Sequence, residues 1–202
     1  MTDLHNEAME WLYKKSKQQD SRTKRVKKYK SSSAVSQNYI VLDFETTGLR
    51  AGADQIIQIG AVKYVENELT DILQTLVNPQ RHIPTVVTQL TGISNEMVES
   101  APTIEQKIEE LIGFIGDFPI IAHNASFDMG FLYALENSID VKIPSYTVID
   151  TVKLARKIII ETPNHKLTTL TKYLQIEHNA HDALGDCLAT AAIYQYCTRS
   201  HE

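Results

Sequence analysis

The sequence predicts an α/β fold, a mixed β-sheet flanked by helices, and three observations carry that reading. The run Tyr39–Phe44 (YIVLDF) is short, apolar and followed by the turn signal TTG, as a buried strand should be. Ile56–Val65 and Leu69–Val77 read as two more strands, close enough in sequence to be joined by a tight turn near Glu66–Glu68. Beyond them helix and strand signals alternate, which is how parallel strands are added to a sheet through helical crossovers.

The later elements follow in order. Ile83–Leu90 and Asn95–Val98 are short helical pieces bounded by Thr91–Gly92. Thr103–Ile115 places Ile104, Ile108, Leu111, Ile112 and Ile115 on one face, with Pro102 ahead of it, which predicts an amphipathic helix. Ile120–Ala122 is a core strand leading to a helix from Ser126 to Glu136. Tyr146–Ile149 is a further strand, after which Asp150 is placed to cap a helix running through Ile158. Helices at Lys166–Leu174 and Ala183–Cys197 complete the pattern.

Composition bounds the function classes. Hydrophobic content of 43% and charged content of 22% over 202 residues are those of a globular protein with a sizeable core. No apolar run approaches the roughly 18 residues of a membrane span. The polar start MTDLHNEAMEW lacks a secretory layout. Cys187 and Cys197 lie ten residues apart on one helical stretch, too far for a disulfide, and no CxxC pair offers a zinc site. These features lead to the expectation of a cytoplasmic protein.

Charge divides the chain. Residues 1–38 carry 9 Lys/Arg against 4 Asp/Glu, whereas residues 39–202 carry 11 against 21, nets of +5 and −10. Residues 14–38 are basic and Ser-rich, with too few apolar groups to offset their ordering entropy, which predicts a flexible arm. Leu4, Ala8, Trp11 and Leu12 before it have the spacing of a short amphipathic helix. The expected division is thus an arm over 1–38 and a folded domain over 39–202. An acidic body is not the usual mark of a nucleic-acid binder, yet carboxylates gathered around metal ions give the same balance.

Three short motifs carry candidate chemistry. Asp43 and Glu45 stand two apart on a strand, so both leave one face and can grip divalent ions that favour oxygen ligands. A lone DxE is more often a strand end with solvated acids. Asp128, in HNASFD, sits where a strand feeds a helix, a place where an acid commonly compensates the helix dipole. His181 and Asp186, in HDALGD, can face one pocket if the histidine lies in the loop before the helix. Gly185 between them costs up to ~1 kcal/mol of helix propensity, which a close approach to Asp43 would explain.

Taken in order, DFETTG, HNASFD and HDALGD resemble the motifs of the DnaQ-like DEDD 3′–5′ exonucleases, in the DEDDh branch with histidine before the last aspartate. The likeness covers residues 39–198 and takes in IIQIGAV, LTGIS, VIDTVKLAR and NHKLTTL. AHNASFDMGFL is most similar to the polymerase III epsilon subunit and the exonuclease domain of PolC-type polymerases. Gln58 departs from the pattern, since relatives often have Glu there. The resemblance implies a ribonuclease H-like fold, two Mg²⁺ (or Mn²⁺) ions held by Asp43, Glu45, Asp128 and Asp186, and His181 as general base. It also implies that Thr46, Gly48, Thr91 and Phe127 hold the 3′-terminal nucleotide.

The expected activity is removal of nucleoside 5′-monophosphates from 3′ ends, on DNA in proofreading or repair. The alternatives are an exoribonuclease with the same residues and an inactive, polymerase-associated binding module. Expected partners are single-stranded DNA or RNA 3′ ends and a DNA polymerase catalytic subunit, with no membrane involved. Asp150 is a rival fifth carboxylate or a helix cap. His123 is expected to support the second motif, and His165 and His178 lack the spacing to Asp186 that His181 has.

Overall fold

A computed structural model describes residues 10–11, 13–14, 28–178 and 180–199. Most of the helix expected around Leu4–Leu12, and most of the basic arm, lie outside the described residues.

Six strands form one sheet: β1 (Lys30–Ser31), β2 (Tyr39–Thr46), β3 (Ile56–Val65), β4 (Glu68–Leu76), β5 (Ile120–Ala122) and β6 (Thr147–Asp150). Their order is β1-β6-β5-β2-β3-β4. β2, β3 and β4 pair antiparallel, while β5, β6 and β1 join β2 in parallel, so the sheet is mixed as predicted. The β3–β4 turn uses Glu66 and Asn67 with φ of +54° and +63°, the two left-handed residues of a tight hairpin. Seven α-helices lie wholly among the described residues: α1 (Thr85–Thr91), α2 (Asn95–Val98), α3 (Ile104–Ile115), α4 (Ser126–Ala134), α5 (Thr151–Ile158), α6 (Leu167–Leu174) and α7 (Ala183–Arg199).

Period-two alternation splits the sheet residues between two apolar layers. Ile40, Leu42 and Phe44 of β2, with Ile59 and Ala61 of β3, face Ile108, Leu111 and Ile115 of α3 and Met129 and Leu132 of α4. Tyr39 and Val41, with Val62 and Tyr64, face Cys187, Ala191 and Tyr194 of α7. Both faces are covered, which is why β2 reads as an almost continuous apolar run. Among the described residues, no helix is long and apolar enough to cross a membrane.

Residues 28–38, assigned to the arm on composition, lie along the edge of the sheet. Lys30 N donates to Tyr146 O and Ser32 N to Val148 O, each at 2.9 Å. Tyr29 stacks on Tyr133 with ring centroids 6.2 Å apart, and Lys28 pairs with Glu136. Further on, Ser36 N donates to Tyr194 Oη at 2.8 Å. The pairing partners stand more than a hundred residues away, so local composition carries no sign of them.

α7 packs across β3 at one glycine. A Cβ built on Gly60 would lie 2.5 Å from the carbonyl carbon and oxygen of Ala183, contacts that no side chain tolerates. The sheet and this helix therefore meet at Gly60 with no room for a side chain. Gly60→Ala is expected to lower stability by at least ~1–3 kcal/mol, the usual cost of overpacking. Gly113, inside α3 and exposed, has nothing within 4 Å of a Cβ built on it. Gly113→Ala should instead stabilise by about 0.5–1 kcal/mol. Thermal denaturation of the two variants checks both signs; an unchanged Gly60→Ala midpoint would refute the close approach.

Candidate active site

The alternation that buries β2 also delivers its acids. Tyr39 and Val41 enter the layer beneath α7, and Asp43 and Glu45 continue on that face toward the strand's C-terminal end. β5 runs parallel to β2 and ends beside it, feeding the tight turn into α4. Asn124 takes φ +64° in that turn, a conformation asparagine tolerates, and Phe127 N donates to Asn124 O at 2.9 Å. Asp128 follows in the first turn of α4, where its Oδ1 accepts from Phe44 N at 3.2 Å.

The third contribution comes from α7. Asp182 caps this helix, its Oδ2 accepting from Gly185 N at 3.1 Å. Its Oδ1 accepts from Gln58 Nε2 at 3.0 Å and from Gln74 Nε2 at 3.1 Å. Gln58 Oε1 in turn accepts from Ala183 N at 3.0 Å. This buried side chain thus donates through one atom and accepts through the other. An ionised carboxylate could only accept, so the amide suits this position for a reason the sequence does not disclose.

These ties place Asp186 in the first turn of α7 and His181 in the loop before it, with φ +67°. One ligand atom each from Glu45, His181 and Asp186 lies within 4.8 Å of the others, a spacing one cation could span. Asp43, Glu45, His181 and Asp186 line a cleft of about 650 Å³, together with Thr46, Gly48, Thr91 and Phe127. Asp128 is buried against the same cluster at 1% exposure. The structure therefore brings together all nine residues singled out in the sequence.

His178 was passed over on spacing, yet its Nε2 contacts Asp186 Oδ1 while its Nδ1 lies 3.4 Å from Thr171 Oγ1. The link runs across a loop and has no periodicity to find it by. Asp150 accepts from Val152 N at 3.1 Å and so is a helix cap, the role weighed against a fifth carboxylate. His123 lies 2.8 Å from Thr151 Oγ1 and 2.9 Å from His165 O, joining the end of β5 to α5 and to the loop before α6. It braces the second motif as expected.

The cluster is electrostatically costly. Burial, then the charges of Asp128, Glu45 and Asp186, holds the Asp43 carboxyl well above the usual carboxylate range. Burial and the neighbouring acids, Asp186 first, push Glu45 up to about 8. Burial also raises Asp128 to about 8, against hydrogen bonds from backbone N–H groups that favour its charged form. Carboxylate oxygens with an imidazole beside them form a donor set suited to divalent cations, which would relieve the repulsion.

Comparison with known proteins defines the class. Residues 40–194 match the RNase T family of exonucleases, and the chain belongs to that family. PolC-type DNA polymerase III of Bacillus subtilis is 41% identical over 157 residues, which cover 77% of this chain and 11% of the polymerase. A putative bifunctional exonuclease/endonuclease protein of Mycobacterium tuberculosis is 38% identical over 164 residues, 77% of this chain and 25% of that protein. The chain thus spans a minor part of these relatives' length. Exonuclease X in complex with 5′ overhanging duplex DNA superposes with a TM-score of 0.67 and 27% identity, covering 80% of this chain and 92% of the other. The nuclease domain of 3′hExo, a DEDDh family member bound to rAMP, gives 0.70 at 18% identity, covering 84% and 95%, and so shares the fold. The resemblance read from the three motifs, and the ribonuclease H-like fold it implied, are borne out.

An acid whose folded-state pKa is raised keeps a proton that the unfolded chain has released. For Glu45, stability is therefore full below the ordinary value of 4.5 and is lost as pH rises toward about 8. In chelator, Glu45→Gln should gain stability over the parent protein as pH is raised through that window. Denaturation midpoints of both proteins across it provide the check, and a constant difference would contradict the buried, repelling cluster.

Proposed function

We propose that the chain is a 3′–5′ exonuclease that hydrolyses the terminal phosphodiester of a DNA strand and releases nucleoside 5′-monophosphates. The observation that carries this reading is the convergence of Asp43, Glu45, Asp128, Asp186 and His181, from three distant segments, on one cleft. Membership of the exonuclease family and similarity to PolC-type polymerases support DNA as substrate and a replicative polymerase as working partner, in proofreading or repair.

In this reading Asp43, Glu45, Asp128 and Asp186 hold two Mg²⁺ (or Mn²⁺) ions. The ions supply charge neutralisation and Lewis acidity at the scissile phosphate. His181 takes the proton of the attacking water as general base. The water oxygen attacks phosphorus, the bond to the 3′ oxygen of the preceding nucleotide breaks, and a shortened strand with a free 3′ hydroxyl departs. Backbone at Thr46–Gly48 and the side chains of Thr91 and Phe127 grip the terminal nucleotide without reading its base, by phosphate contact and stacking. Packing of Phe127 on Phe131, ring centroids 5.0 Å apart, supports this role by holding the ring in place.

The test is release of mononucleotides from end-labelled single strands in Mg²⁺, with DNA and RNA of equal sequence assayed side by side. The DNA strand should be degraded faster. Asp43→Ala and Asp186→Ala should lose several orders of magnitude in single-turnover rate, and His181→Ala about 10²–10⁴-fold. Carboxylate variants that keep more than about a tenth of the rate, ~1.4 kcal/mol in barrier, would overturn the assignment. Faster cleavage of RNA would replace the DNA substrate with RNA.

A further inference from the structure

The cleft does not end at the carboxylates. α5 separates it from a second groove of about 370 Å³, whose far bank is formed by Ser31, Ser32 and Ser33. Helical spacing sorts the α5 side chains between the two hollows. Val152 and Arg156, four residues apart, line the cleft, whereas Lys153 and Lys157, again four apart, line the groove. Arg156 lines both, so the hollows meet at a guanidinium.

The groove exists because residues 28–36 follow the sheet edge. β1 pairs with β6, and Ser32 N holds Val148 O at 2.9 Å, which sets the three serines opposite α5. Ser32 Oγ accepts from Ala34 N at 3.0 Å, leaving its own proton to donate. On the other bank Lys153 is exposed, and its acidic neighbour Asp150 is 4.0 Å away with one carboxylate oxygen engaged as the α5 cap. With its lysine exposed and this spacing, such a pair contributes little, so the ammonium can serve another anion. Four of the 11 basic residues in the acidic body fall in the short segment from Lys153 to Lys166, and Lys166 lines the cleft itself. Positive charge and hydroxyl donors thus form a track leading away from a site otherwise dominated by acids.

We infer that this groove is a second phosphate-backbone site, which holds the substrate strand 5′ of the nucleotides seated in the cleft. The inference rests on the nuclease reading above. Its ligand class is the phosphodiester backbone of a single-stranded polynucleotide, gripped by lysine and arginine charge and serine hydroxyls without base readout. A dinucleotide occupies the cleft alone, and a long strand reaches both hollows.

The experiment compares the full chain with Lys153→Ala/Lys157→Ala, and with Lys107→Ala/Lys142→Ala as a control of equal charge change elsewhere on the body. Dinucleotide hydrolysis is measured in Mg²⁺, and binding of a long oligothymidylate in Ca²⁺ across a salt series. The groove variant should hydrolyse the dinucleotide at the parent rate and bind the long strand about tenfold more weakly at low salt. Its log-affinity against log-salt slope should be shallower by about 1.4, two contacts at roughly 0.7 each for a single strand. The control should match the parent protein. An unchanged slope with normal dinucleotide hydrolysis overturns the groove alone. Equal weakening in the control shows a general charge effect, and loss of dinucleotide hydrolysis in the groove variant places the lysines in the cleft; either overturns the groove. Failure of the parent protein to hydrolyse the dinucleotide overturns the nuclease reading and the groove with it.

Discussion

The N-terminus of α7 reaches the acidic strand because β3 presents Gly60, and no side chain, at the crossing point. Any Cβ there would stand 2.5 Å from the Ala183 backbone. Moved outward, α7 would carry Asp186 and His181 away from Asp43 and Glu45, and the third motif would leave the cleft. The approach is fastened by polar ties suited to its closeness. Asp182 caps the helix and holds two glutamine side chains from β3 and β4, and Cys187 Sγ donates to Gly60 O at 3.2 Å. One glycine and one buried amide therefore set the distance on which the site's chemistry rests.

The site opposes the stability of the fold around it. Asp43, Glu45 and Asp128 are drawn together in a buried setting that disfavours the charged form of all three, with the charge of Asp186 among the causes. Two apolar layers and a sheet covered on both faces offset that cost. A cluster kept at the expense of the apo protein's stability is the sign of a site built for a partner, here a divalent cation. Under the proposed function, the same logic would let an acidic body handle a polyanion, with the acids answering to the metal and Lys153, Arg156, Lys157 and Lys166 left to answer to the strand.

What was legible in the sequence was local. Tyr39–Phe44 and Ile56–Val65 announced themselves by apolar length, Ile104–Ile115 by its helical stripe, and Asp150 by its position before a helix. The motifs were legible because chemistry forces residue types: DxE on a strand, an acid opening a helix, a histidine ahead of another. What could not be read was the partner of each long-range contact. Gln58 showed as a substitution, and its tie to Asp182 needed the β3–α7 crossing. His178 lay at the wrong spacing because the loop, and not a helix, returns it to Asp186. Residues 28–38 looked too polar to dock, since backbone pairing with β6 and a single Tyr29–Tyr133 stack leave no compositional trace.

β2, α4 and α7 together build a carboxylate cluster that should hold protons until a divalent cation displaces them. Calorimetric titration of Mn²⁺ near neutral pH, repeated in buffers of different ionisation enthalpy, measures this displacement most directly. With Glu45 and Asp128 both near 8, binding should release on the order of one proton or more per site. Glu45→Gln should diminish that release. Mn²⁺ binding without proton release, or no saturable binding at all, would contradict the account.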